Sequence, residues 1–151
     1  NNMNKYELTQ ETKKLPNGII LYRIKALNDF GDVKAGDLGG FVEKESNLSQ
    51  EGNCWVYGDA RVSGNAMVYG DALVFGDARV INNTDILWIS KIGSRNDTIT
   101  FANSKYGNIL VNVGCFFGSL DEFEKKVKET HGDNQHAKAY RLAIELAKLR
   151  I

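Results

Sequence analysis

Between Val56 and Ile81 the chain reads VYGDARVSGNAMVYGDALVFGDARVI, a pattern of apolar and polar positions that returns every six residues. Aligned by sixes it gives Ala60-Arg61-Val62-Ser63, Ala66-Met67-Val68-Tyr69, Ala72-Leu73-Val74-Phe75 and Ala78-Arg79-Val80-Ile81. The alternation of a short strand sends each Ala and Val to one face and the residues between them to the other. Gly58-Asp59, Gly64-Asn65, Gly70-Asp71 and Gly76-Asp77 punctuate the runs, and Gly followed by Asn or Asp frees the backbone for a sharp corner. Two inward side chains and one corner describe one side of a triangular coil, so a six-residue period predicts a parallel β-helix. An antiparallel meander is the alternative, but hairpins tolerate any strand length and give no reason for a strict six.

One such unit cannot stand alone. Ordering six backbones costs on the order of 6–12 kcal/mol, whereas a buried Val returns roughly 2 kcal/mol. Stability must come from stacking. Upstream, Leu48-Ser49-Gln50-Glu51 and Cys54-Trp55-Val56-Tyr57 keep the register; downstream, Thr84-Asp85-Ile86-Leu87 and Ser90-Lys91-Ile92-Gly93 keep it with Asn82-Asn83 and Trp88-Ile89 at the corners. Trp88-Ile89 is too bulky for a tight turn, so the repeat is expected to end there, after about three coils of eighteen residues.

The flanks read as lids on the open ends of that stack. Residues 3–45 form a lead-in cap: Lys5 to Thr9 and Ile19 to Ile24 pair as a β-hairpin around Pro16-Asn17-Gly18, and GDVKAGDLGGFVE (31–43) enters the repeats as an irregular first coil. Its glycines lack the strand-then-helix setting of a phosphate cradle and read as corners. Residues 46–93 carry the repeats, and residues 94–151 form a second cap. There, Asp97 to Phe101 and Ile109 to Val113 flank Ser104-Lys105-Tyr106-Gly107-Asn108 as a second hairpin. Asn1 and Asn2 precede Met3 and are left aside.

Helical signals follow. Ser119-Leu120-Asp121-Glu122 has capping-box spacing, with Leu120, Phe123 and Val127 on one side, and Gly132 ends that helix. A second helix is predicted from Gln135 to Arg150. Tyr140, Ile144, Ala147 and Ile151 form one stripe; Leu142, Leu146 and Leu149 form another, nearly opposite. Two opposed stripes predict a helix held between two partners. The second is either the rest of the chain or another subunit, which makes Leu142, Leu146 and Leu149 the candidate interface of a dimer or trimer.

Stacking at eighteen residues sets Trp55 and Tyr57 beside Leu73 and Phe75 on one outward face, Met67 and Tyr69 beside Leu87 on a second, and Arg61 over Arg79 on a third. An aromatic patch of that size needs a cover: a terminal element, a sister subunit or a foreign target. Trp55, Tyr57, Leu73, Phe75, Met67 and Tyr69 are therefore candidate protein-binding residues, rigid aromatics being strong contributors at interface centres. The arginine pair repels unless an acid or ligand lies between, and so marks a candidate anion site.

Composition excludes several classes. Lys and Arg number 19 against 19 Asp and Glu, a formal charge of zero, so no basic field favours nucleic acid. The chain contains no apolar run of the ~20 residues needed to cross a bilayer, and no signal-peptide pattern opens it. Cys54 and Cys115 sit among apolar neighbours and are expected to be buried free thiols. Hexapeptide β-helices include histidine-dependent acyltransferases and three-histidine metalloenzymes, but His131 and His136 are the two histidines here and both lie outside the repeats. Five residues apart, they do not share a helical face as a four-residue pair would. Asp59, Asp71 and Asp77 read as turn formers. No catalytic residue, metal or cofactor is assigned, and the chain is expected not to be an enzyme.

The stretch LYRIKALNDFGDVKAGDLGGFVEKESNLSQEGNCWVYGDA, the Gly-Asp/Asn-Ala repeats and GCFFGSLDEFEKKVKETHGD resemble a family of small phage and prophage proteins with variable numbers of hexapeptide repeats. The resemblance covers nearly the whole chain from Met3. It implies a left-handed coil and an accessory role in the cytoplasm of a bacterial host, and brings no catalytic residues with it. Proteins of that origin bind and block host defence components, CRISPR nucleases among them. The leading expectation is thus an inhibitor that engages a host protein through the aromatic face. A small-ligand or nucleotide sponge and a structural oligomerisation module are the alternatives.

Overall fold

The computed structural model of the chain describes residues 4–151; Met3, at the start of the expected cap, lies outside them. The chain opens with β1 (Tyr6–Lys14) and β2 (Ile20–Ala26), an antiparallel hairpin whose turn is tied by Leu15 N–H to Ile19 O and Gly18 N–H to Leu15 O. Next come β3 (Leu38–Val42) and four two-residue strands: β4 (Trp55–Val56), β5 (Arg61–Val62), β6 (Leu73–Val74) and β7 (Arg79–Val80). Then follow β8 (Ile86–Ile92), β9 (Asp97–Asn103), β10 (Ile109–Val113), β11 (Phe116–Ser119), α1 (Leu120–His131) and α2 (Gln135–Arg150).

The expected left-handed parallel β-helix is corrected by this arrangement. The strands form a mixed sheet in the order β1-β2-β3-β5-β7, an antiparallel sheet β11-β10-β9-β8 and a small parallel pair β4-β6; none of these sheets closes or runs as a solenoid. The reason lies in strand length. Arg61 pairs with Arg79 and Trp55 with Leu73, each in parallel eighteen residues on, but such strands are two residues long. Each makes a pair of ladder bonds, such as Arg61 N–H to Ala78 O and Ser63 N–H to Val80 O. Strands of five to nine residues in the flanks make longer antiparallel ladders and organise the sheets.

β3 joins the two regimes, pairing antiparallel with β2 and parallel with β5. Gly39 and Gly40 are strand residues here, not corners. A Cβ on Gly40 would lie 2.5 Å from Ala60 O and one on Gly39 2.6 Å from Val56 O, so the close approach of the two backbones requires glycine. At the other end, the expected runs 84–87 and 90–93 do not continue the repeat. A short turn over Asn83–Asp85 ends it, and Ile86 onward becomes β8, antiparallel to β9.

Two cores result. Val42, Val56, Val62, Val68, Val74 and Val80 interlock with Ala60, Ala66, Ala72 and Ala78 inside the repeats, all essentially inaccessible. Ile99, Phe101 and Val111 of the antiparallel sheet meet Phe123 and Val127 of α1 and Tyr140, Ile144 and Ala147 of α2. α1 begins in a capping box, Ser119 Oγ accepting from Glu122 N–H while the Glu122 carboxylate accepts from Ser119 N–H. No helix among the described residues is long and apolar enough to cross a membrane.

Candidate functional site

The arginines of β5 and β7 stand side by side because their partners on the same strands, Val62 and Val80, fill the interior at 0% exposure. Alternation then leaves Arg61 and Arg79 no direction but outward. The corner between β5 and the next run places Gly64 at φ +59°, where a Cβ would come within 2.5 Å of Ile81 O. Strands β5 and β7 can therefore close to ladder distance beside the arginines.

Around this pair lies a groove of about 520 Å³. Leu21 and Val80 form its apolar base, with Leu15 and Ile81 at the rim and Ser63 beside the arginines. The β9–β10 turn makes the opposite wall: Ala78 bridges Ser104, Lys105 N–H donates to Asp77 O at 2.9 Å, and Lys105 Nζ lies 3.6 Å from the Asp77 carboxylate.

The electrostatics of the groove are unbalanced. Arg61 Nε is buried and has no hydrogen-bond partner. Arg79 donates from Nη1 to Ala78 O at 2.9 Å and Asp59 O at 3.4 Å, without a carboxylate bridge among the described residues. Burial holds Arg79 below its ordinary pKa, and the neighbouring Arg61 pushes it the same way. Like charges at the strand spacing of about 4.8 Å repel by roughly 3 kcal/mol at an effective dielectric constant near 20. Nearby acids are already engaged. Asp59 meets Arg23 at 3.3 Å and Asp77 meets Lys105. Asp85 accepts from Ile81 N–H, Asn82 N–H and Asn103 Nδ2. Burial alone would raise the Asp85 pKa, but those three donors together hold it below the usual carboxylate range. Asp85 is an acceptor already occupied, not a free base.

The aromatic face is largely spent inside the chain. Trp55 is 1% exposed, edge-on to Tyr6 at 6.1 Å and Phe30 at 5.2 Å, so it offers no contact surface. Tyr57 and Leu73 are half-buried against the repeat core, and Phe75 is covered by Phe117 at 5.6 Å. The terminal elements are the cover that the sequence leaves unspecified. Met67 and Tyr69 remain open, at 50% and 56%, and line a cleft of about 310 Å³ with Trp88, whose ring meets Tyr69 edge-on at 4.7 Å. On α2, Tyr140, Ile144 and Ala147 pack on the chain while Leu142, Leu146 and Leu149 stay accessible.

Sequence reasoning missed Lys105, Ser63 and Leu21 at the arginine groove, and Trp88 at the cleft. Lys105 and Leu21 come from distant hairpins and leave no local signal; Trp88 was visible as a bulky residue in a corner position. His131 ends α1 and His136 lies in α2, so the two share no helical face, although the break at Gly132 brings their rings within 5.6 Å. One further expectation is corrected, the burial of Cys115. Cys115 is exposed in the β10–β11 turn, whereas Cys54 is buried with its Sγ 3.4 Å from Lys5 Nζ.

No family model matches the chain. Part of it is 43% identical over 65 residues to a protein of Escherichia coli (strain K12) described as the uncharacterized acetyltransferase YdcK. That likeness covers 36% of this chain and 19% of YdcK, so the chain spans about a fifth of the relative it matches. The expectation of a non-enzyme, drawn from the want of a histidine in the repeats, is overturned by this likeness, which points towards an enzyme, in a class for which hexapeptide repeats are plausible.

Proposed function

We propose that the chain binds a small anionic molecule in the groove between Arg61, Arg79 and Lys105, as the ligand-holding part of a group-transfer protein. The observation that carries this reading is the buried, partnerless Arg61 Nε beside an Arg79 that forms no carboxylate bridge among the described residues. Burying a guanidinium donor without an acceptor is costly, and a second arginine alongside adds a like-charge repulsion; an anion held by the two guanidinium groups would offset both. The name of the E. coli relative suggests acetyl transfer, and an acetyl donor carrying phosphate groups would meet the groove's charge. Thermal unfolding in the presence of anions tests it. An anion that binds should raise the melting temperature of the wild type and shift Arg61→Gln markedly less. Equal shifts in both proteins would remove the reading.

Met67, Tyr69 and Trp88 favour a second reading: a phage accessory protein that binds and blocks a host macromolecule through this ridge. Here the supporting observation is the exposed apolar pair beside a cleft, in place of the wider aromatic face. Tyr69→Ser should abolish complex formation without changing the melting temperature; unchanged capture of the partner would end this second reading.

A further inference from the structure

We infer that the arginine groove selects a doubly charged terminal phosphate joined to an apolar group, over a carboxylate of similar shape. The inference rests on the anion reading and deepens it. Two fixed positive charges sit in register on adjacent strands, and the acids around them are already engaged: Asp59 by Arg23, Asp77 by Lys105, Asp85 by Asn103 and two backbone N–H groups. A monoanion compensates one guanidinium and leaves its neighbour facing a like charge. A planar carboxylate offers its two oxygens to one fork, the geometry of a single bidentate pair. A tetrahedral phosphate presents three oxygens in diverging directions and two charges. It can therefore accept from the Arg61 guanidinium group, from the Arg79 nitrogens not used by Ala78 O and Asp59 O, and from the Ser63 hydroxyl on the same wall. The rest of the ligand would lie on Leu21 and Val80, which give the groove an apolar base, with Leu15 and Ile81 at its rim.

Calorimetric titration at neutral pH with phenyl phosphate, phenyl sulfate and benzoate separates charge from shape. Phenyl phosphate is a dianion, phenyl sulfate a tetrahedral monoanion and benzoate a planar one. Phenyl phosphate should bind on the order of tenfold more tightly than either, one extra charge-assisted contact being worth about that factor. Arg61→Gln and Arg79→Gln should each reduce it to the level of phenyl sulfate. Arg61→Gln should melt no lower than wild type without ligand, since it relieves a repulsion and removes a buried donor that has no acceptor, which distinguishes a binding role from a structural one. Equal affinity for all three compounds overturns the inference and leaves the anion reading standing; failure of all three to bind removes both. Sedimentation with phosphatidate-containing vesicles but no affinity for phenyl phosphate also overturns it, by assigning the site to a lipid surface.

Discussion

Tyr57 lies flat on Phe75, ring centroids 4.2 Å apart and planes within 5° of each other, and Phe117 leans on Phe75 at a 40° tilt. This stack joins the repeats to the edge strand of the antiparallel sheet. Phe75→Ala should therefore cost about 2 kcal/mol of stability through lost burial and ring contact. Urea unfolding measures it; an unchanged midpoint would mean that the stack is incidental to the union of the two parts.

Gly64→Ala should destabilise by about 2 kcal/mol or more, because the substitution combines a left-handed backbone with a Cβ pressed against Ile81 O. The same change at Gly58, where the added Cβ would meet nothing, carries the backbone cost alone and should be milder. Comparing the two by thermal unfolding isolates the close approach of β5 and β7; equal losses would contradict it.

Tyr6 is fully buried, and its hydroxyl donates to Leu48 O at 2.6 Å and Glu45 O at 3.1 Å. Burial, reinforced by Glu45 and Cys54, raises the phenol above its ordinary value of 10.0. A raised acid contributes stability that is complete below the unfolded value and is lost as pH climbs towards the folded one. The wild type should thus weaken above about pH 10. Tyr6→Phe should lose about 1–2 kcal/mol at neutral pH and shed part of the alkaline decline. Parallel alkaline titrations of stability would refute this if the two curves stay a constant distance apart.

The two thiols should differ sharply in reactivity. Cys115 is exposed, while Cys54 is inaccessible and burial pushes its thiol up, against the opposing pull of Lys5. A maleimide reagent should modify native protein rapidly at one position, and Cys115→Ser should abolish that phase. Rapid modification of the Cys115→Ser variant would show that the Lys5–Cys54 contact opens in solution.

Local alternation was legible in the residues themselves: Val62, Val68, Val74 and Val80 face inward, Arg61 meets Arg79, and α1 starts and stops at its caps, because these features depend on neighbours within a few residues or one repeat. The same alternation sends Trp55 outward, and it cannot say whether outward means solvent. Tyr6 and Phe30 reach it from segments 49 and 25 residues away, so its burial was settled by long-range packing. Sheet type was settled in the same way. A two-residue strand makes too few ladder bonds to impose its own architecture, and the longer antiparallel strands on either side prevailed. The sequence by itself determined the paired arginines; only the tertiary structure brought Leu21 beneath them and Lys105 across from them, because side chains from two separate hairpins meet only when the sheets assemble.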